Sequence, residues 1–311
     1  MSRIFDALQR SGTEQSGVEY PDMVSVATAV FEAPQGLQSV EVADTAAHVE
    51  EPSVVPLQDQ DQDAAAELQT RQNADRIPAF PSLEVALTPS SRLVFFTQPE
   101  SLAAEKFRFL GVRLRQMRQS RPLKKVLVTS TIPEEGKSLV SANLAGVLAR
   151  RKERVLLIEG DMRRPTLADQ LGLGRLAGLA EWLQGGLEKP SNIYRLEGPG
   201  FWIMPAGEPP ANTLELMQSG RLSMLMTHLT SLFDWIIVDS PPLLPLADTT
   251  VWARLTDGTL LVAREGKTEK RPLERGLEVI KKSELLGVVL NGCSNTDHDS
   301  YYQRYAPPAT K

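Results

Sequence analysis

Gly136-Lys137-Ser138 follows the apolar run Val126-Leu-Val-Thr-Ser130 and the short polar stretch Thr131-Ile-Pro-Glu-Glu135, and it opens a helical pattern. A strand, a tight loop and a helix start make a phosphate cradle. Loop amides and the positive end of the helix dipole face the anion, Lys137 adds a point charge, and the Ser138 hydroxyl is a ligand for Mg²⁺. Thr131, Pro133, Glu134, Glu135, Gly136, Lys137, Ser138 and Leu139 are the candidate nucleotide contacts. The strict form of the pattern has glycine five residues before Gly136, where this chain carries Thr131.

Acidic residues close two further apolar runs. Val155-Leu-Leu-Ile-Glu159 ends in a carboxylate with Asp161 two residues on, and Trp235-Ile-Ile-Val-Asp239 ends in another. Ligands of open α/β sheets collect at the carboxyl ends of strands, and carboxylates converging on a phosphate site are what Mg²⁺ requires. A single acid after a strand is as well explained by a turn or a helix cap. Three acids in series with a phosphate loop point to chemistry, with Lys137, Glu159, Asp161 and Asp239 as candidate catalytic residues and Ser138, Asp161 and Asp239 as candidate metal ligands.

The elements that must position these groups alternate along the chain. Helical spacing covers Glu105–Met117, with Phe107, Leu110, Leu114 and Met117 on one face. Strand patterns cover Lys125–Ser130, Arg154–Glu159, Phe201–Met204, Trp235–Asp239, Gly258–Ala263 and Gly287–Asn291. Helical patterns cover Lys137–Arg151, Thr166–Gly172, Leu214–Phe233 with a break near Gly220, and Glu269–Ser283. Near-continuous Val, Ile and Leu in the strands means that both faces are covered. The expected fold is a three-layer α/β/α domain with a mostly parallel sheet, of the P-loop NTPase class.

The 311 residues divide by charge. Up to Ser90 there are 15 Asp and Glu against 4 Arg and no Lys, a balance of minus eleven that leaves plus six for the remainder. Tracts such as Leu57-Gln-Asp-Gln-Asp-Gln-Asp63 have no apolar face, so residues 1–90 are expected to be a largely disordered acidic region. Ile4, Phe5 and Leu8 at helical spacing could form a short amphipathic start or a frayed terminus. The phosphate-loop domain is expected at 91–295 and a flexible, tyrosine-rich tail at 296–311. The balance is too weakly basic for a dedicated nucleic-acid binder. The single cysteine, Cys293, excludes an internal disulfide, and no apolar run approaches the ~18 residues of a membrane span, so a cytoplasmic chain is expected. His48, His228 and His298 are too scattered for a metal site.

Thr129-Ser-Thr-Ile-Pro-Glu-Glu-Gly-Lys-Ser138, Leu156-Leu-Ile-Glu-Gly-Asp-Met-Arg-Arg-Pro165 and Val238-Asp-Ser-Pro-Pro242 together resemble the bacterial tyrosine kinases of capsule and exopolysaccharide synthesis. Ala206-Gly-Glu-Pro-Pro-Ala-Asn212 and Gly178-Leu-Ala-Glu-Trp-Leu183 match as well, and the likeness runs from about Leu93 to Tyr305. The same superfamily holds MinD-like and ParA-like ATPases, whose loops carry a lysine where this chain has Ile132, which favours the kinase branch.

The resemblance implies ATP and Mg²⁺ as ligands. It implies Lys137 on the transferring phosphoryl group, Ser138 and Asp239 on the metal, Asp161 on metal or tyrosine hydroxyl, and Asn291 near adenine. Tyr301, Tyr302 and Tyr305, three of the chain's five tyrosines, correspond to an autophosphorylation cluster, against the plainer reading of an aromatic tail packed on the domain. A membrane-embedded chain-length regulator (a Wzz-like co-polymerase) is implied as activator, recruiting the protein peripherally to the inner membrane. Other protein tyrosines are possible substrates beside the chain's own tail.

Three departures stand out. Glu159 replaces the usual aspartate at the position credited with accepting the tyrosine proton, and Glu134 replaces a common glycine. The family's oligomer helix carries a glutamate followed by arginines three and six residues on; here Glu105 and Arg108 are present, but Gly111 takes the last place, with Arg113 or Arg115 as substitutes. The competing function is a non-catalytic, MinD/ParA-like ATP-dependent assembly switch or a scaffold.

Overall fold

Trp235 and Ile237 point to one side of the central sheet and Ile236 and Val238 to the other, and all four are fully buried. The period of two that a strand imposes therefore feeds two separate cores. Val126 and Val128 join the first core, as do Val155 and Leu157, while Leu127, Leu156 and Ile158 join the second. Such strands cannot face water on either side. The sheet is the middle layer of three.

The computed structural model describes residues 79–86, 88, 91–185, 191–244, 247–281 and 284–293. In chain order the elements are β1 (Ser82–Glu84), α1 (Val94–Thr97), α2 (Leu102–Ser120), β2 (Lys125–Ser130), α3 (Lys137–Ala149), β3 (Val155–Glu159), α4 (Leu167–Gln170), α5 (Leu179–Gln184), β4 (Tyr194–Glu197) and β5 (Trp202–Met204). They continue with α6 (Thr213–Gln218), α7 (Arg221–Leu232), β6 (Trp235–Asp239), α8 (Asp248–Leu255), β7 (Gly258–Arg264), α9 (Lys270–Val279) and β8 (Leu285–Asn291). The eight-stranded sheet has the order β1-β4-β5-β3-β6-β2-β7-β8. Every neighbouring pair is parallel except β4 with β5. The expected doubly covered, mostly parallel α/β sheet of a P-loop NTPase is what forms.

Helices α2 and α3 pack on the first core through Leu110, Leu114, Val140, Leu144 and Leu148, and α5, α7 and α8 cover the second through Leu179, Leu222, Leu225, Leu229 and Trp252. The Ser101 hydroxyl caps α2 by accepting from the amide of Ala104. Gly111 lets α2 approach α3, since a Cβ there would lie 2.7 Å from Val147 Cγ1. The residue at the third place of the expected oligomer pattern is thus a buried packing position, and steric closeness explains the glycine. Arg115, considered as its substitute, is committed inside the chain: its guanidinium pairs with Glu153 at 2.6 Å and donates to the Leu148 carbonyl. Glu105 and Arg108 pair with each other.

Strand β1 forms inside residues 1–90, the region expected to be largely disordered. Its three residues extend the sheet edge in parallel with β4, and Leu83 packs against the first core. Strand β4 and helices α5 and α8 were not anticipated either. The Ile4, Phe5 and Leu8 start, His48, His298 and the tyrosines Tyr301, Tyr302 and Tyr305 lie outside the described residues. Among the described residues no helix is long and apolar enough to cross a membrane.

Candidate active site

The loop after β2 is held open by its own side chains. Glu135 is fully buried, and its carboxylate accepts from the Thr131 hydroxyl at 3.1 Å, from the Ile132 amide at 3.0 Å and from the Thr268 hydroxyl. Thr131, at the position where glycine was expected, is therefore the internal partner of Glu135. Both side chains brace the loop instead of facing a ligand. Gly136 follows with φ +99°, a left-handed conformation that brings the chain into α3. Asn291, at the end of β8, donates through Nδ2 to the Glu135 carbonyl at 2.9 Å. A Cβ on Gly136 would meet that same nitrogen at 2.0 Å.

Glu134 takes φ +63° and points outward, its carboxylate pairing with Lys267 at 2.6 Å. Its hydrogen bond to Lys267, with the lysine's charge, holds its carboxyl below the usual range. The negative charge that Glu134 brings to the loop is thus answered from the turn after β7. Arg264 adds a bond to the Glu134 carbonyl at 3.3 Å. Sequence reasoning missed Arg264, Lys267 and Thr268. The signal available for them was their place at the carboxyl end of a central strand.

At the first turn of α3, Lys137 Nζ lies 3.5 Å from Asp161 Oδ2 and 3.5 Å from Ser138 Oγ. The Asp161 Oδ1 atom accepts from the Arg164 amide at 3.1 Å. Asp239 sits beneath them, fully enclosed. Burial pushes its carboxyl upward, and the Lys137 charge and the Ser138 hydrogen bond pull it back. The Ser141 hydroxyl, also missed, stands 3.3 Å from Asp239 Oδ1 and 2.8 Å from the Lys137 carbonyl. A cation, two hydroxyls and two carboxylates thus converge at a helix N-terminus. Leu139, by contrast, packs against the first core.

Glu159 lies beside Asp239 in register but takes a different direction. Its Oε1 accepts from the Leu167 amide at 2.5 Å and its Oε2 from the Ala206 amide at 3.1 Å. Burial raises its carboxyl, the backbone amides of Ala206, Leu167 and Thr166 oppose this, and Asp239 adds repulsion. Between the two acids of this turn, Gly160 donates to the Asp239 carbonyl at 2.7 Å and accepts from the Trp252 indole at 3.2 Å.

Among the described residues no group of three or more His, Cys, Asp or Glu forms a metal cage. Ser138, Asp161 and Asp239 are instead a donor set of the kind that suits Mg²⁺, which takes one or two carboxylates and a hydroxyl together with phosphate oxygens. The glycine-opened helix start, with Lys137 over Asp161, defines a phosphate-loop nucleotide-binding domain.

No family model matches the chain. Relatives do. The chain is 32% identical over 211 residues to tyrosine-protein kinase YwqD of Bacillus subtilis, spanning 67% of this chain and 89% of that protein. It is 29% identical to the putative tyrosine-protein kinase CapB of Staphylococcus aureus over 69% of this chain and 95% of that one. Larger relatives are matched over about a quarter of their length, as with the succinoglycan biosynthesis transport protein ExoP of Rhizobium meliloti, 34% identical over 62% of this chain and 25% of that protein. Among solved structures, the kinase domain of the Escherichia coli tyrosine kinase ETK superposes with a TM-score of 0.62 at 26% identity, covering 74% of this chain and 89% of that one. The chimerical protein CapA2B2 gives the same TM-score and identity, over 74% of this chain and 99% of its own. The chain belongs to the bacterial tyrosine-protein kinases.

Proposed function

We propose that the chain is an ATP-dependent protein-tyrosine autokinase of capsule or exopolysaccharide assembly, transferring the γ-phosphoryl group of ATP to Tyr301, Tyr302 and Tyr305. The observation that carries this reading is the 3.5 Å approach of Lys137 Nζ to Asp161 Oδ2 at the start of α3, above the enclosed Asp239. Lys137 and the amides from Gly136 onward bind the β- and γ-phosphates and take up charge as the phosphoryl group leaves ADP. Ser138 and Asp239 would hold Mg²⁺, with Asp161 joining them or facing the tyrosine hydroxyl, and the bound ion would neutralise the phosphate oxygens. A carboxylate of the Glu159-Gly160-Asp161 turn orients the tyrosine hydroxyl, and its proton leaves as the phenolic oxygen bonds to phosphorus. Asn291 borders the nucleotide from the last strand.

The activator is the cytoplasmic part of a membrane chain-length regulator, which would draw this otherwise cytoplasmic protein to the inner membrane. Tails of other protomers, and tyrosines of other proteins, are further substrates. Glu105 and Arg108 lie on the helix that would carry a contact between copies.

The test is incubation of the purified chain with Mg-ATP, with and without candidate activator tails, and mapping of phosphotyrosine by mass spectrometry beside Lys137→Ala. Phosphate on the three tail tyrosines that disappears in the variant is expected. ATP binding without phosphotyrosine, even with a cognate activator, would overturn the kinase reading in favour of an ATP-dependent assembly switch.

A further inference from the structure

The turn Glu159-Gly160-Asp161 carries two carboxylates with opposite fates. Glu159 is 1% exposed, and its two oxygens face backbone amides from two separate segments. One amide is that of Leu167, the first residue of α4, and the other is that of Ala206, in the loop that follows β5. Asp161 is 7% exposed and faces Lys137. Asp239, the third acid, is 1% exposed and lies under Ser138 and Ser141.

We infer that Glu159 is a positioning residue, which pins the Asp161 turn to α4 and to the Ala206 loop and does not itself receive the tyrosine proton. This rests on the kinase reading above. The geometry closes a ring. The Glu159 side chain bridges to Leu167, so the intervening residues 160–166 form a short loop tied at both ends, with Asp161 inside it and its Oδ1 bound to the Arg164 amide. Gly160 is fixed by both of its backbone groups and has no room for a side chain, since a Cβ would lie 2.8 Å from Trp252 Nε1. The longer glutamate arm suits this task. It spans from β3 to amides of two elements at once, and a carboxylate accepting backbone N–H bonds in a dry site forms a strong cross-tie. A proton acceptor must come within hydrogen-bond reach of the substrate hydroxyl, which a side chain turned into the protein does not.

The experiment compares Glu159→Gln, Glu159→Asp and Asp161→Asn in the full chain, measuring kcat and KM for Mg-ATP in tail phosphorylation and hydrogen exchange at the Leu167 and Ala206 amides. Glutamine keeps the length and one acceptor oxygen but cannot serve as a base; aspartate keeps a base but cannot reach both amides. Glu159→Gln is expected to retain kcat within about tenfold, with KM unchanged. Glu159→Asp is expected to lose more, with both amides exchanging fast, and Asp161→Asn, which removes the acid that the tie positions, to lose the most. The reverse order, with Glu159→Asp near native and Glu159→Gln inactive at unchanged KM, would overturn the inference. Should Glu159→Gln fail to fold, Glu159→Asp decides: near-native kcat with unprotected amides sinks the positioning role, and a kcat loss with unprotected amides supports it. If the native chain transfers no phosphate, the kinase reading falls by itself. Exchange then still decides the tie, which stands if Glu159→Asp deprotects both amides and falls if it does not.

Discussion

The Thr268 hydroxyl reaches from the turn after β7 to the carboxylate of Glu135 inside the phosphate loop, while accepting the Arg264 amide at 2.7 Å. One hydroxyl thus ties the end of β7 to the nucleotide cradle after β2. Replacing it leaves a fully buried carboxylate one partner short, which costs about 1–3 kcal/mol. Thr268→Ala is expected to lower the unfolding free energy read from urea denaturation by that amount and to weaken ATP binding by roughly tenfold, as calorimetry would read it. A variant with native ATP affinity would show that the brace does not shape the loop.

Asp239 combines burial with a ligand role, and the two demands conflict. Its charged form is disfavoured in the folded chain by desolvation, so a neutral isostere relieves the fold. Asp239→Asn is expected to raise the apo melting temperature by about 2–4 °C, corresponding to about 1 kcal/mol for a domain of this size, while abolishing the Mg²⁺ dependence of ATP binding. A lower melting temperature would mean that pairing with Lys137 outweighs the cost of burial.

Asp234 offers a pH prediction away from the site. Burial pulls its carboxyl upward, but hydrogen bonds and charge from Arg154, aided by Lys124, outweigh this and hold it below its usual value. The bidentate pair closes at 2.9 and 3.2 Å. A carboxyl depressed on folding stabilises above its unfolded pKa of about 3.9 and ceases to do so as pH falls through the lower folded value. Asp234→Asn should therefore be less stable than the native chain in urea at pH 6, and the gap should narrow from about pH 4 downward. A gap that persists at pH 2.5 would assign the loss to geometry instead of charge.

The central strands were legible because an apolar run covered on both faces leaves no ambiguity of period, and Lys125–Ser130 and Trp235–Asp239 form over the expected residues. The edge was not. Ser82–Glu84 and Tyr194–Glu197 are three and four residues long, too short for a pattern, and exist because each gives the other a partner. Residue types located the phosphate loop but not the direction of its side chains. Glu135 turns inward because Thr131 and Thr268 await it, and Thr268 is distant in sequence. Glu159 likewise finds its partners in Leu167 and Ala206, contacts that only the folded sheet brings into being.

Asn291 holds the carbonyl of Glu135 from the last residue of β8, so the chain leaves the sheet at the nucleotide cradle itself. Tyr301 follows ten residues later, within a contour of about 35 Å. In the proposed reaction the acceptor is therefore leashed to its own catalyst, at an effective concentration on the order of millimolar. Any foreign tyrosine must outcompete that tether, and phosphorylation within one protomer would proceed at a rate independent of dilution.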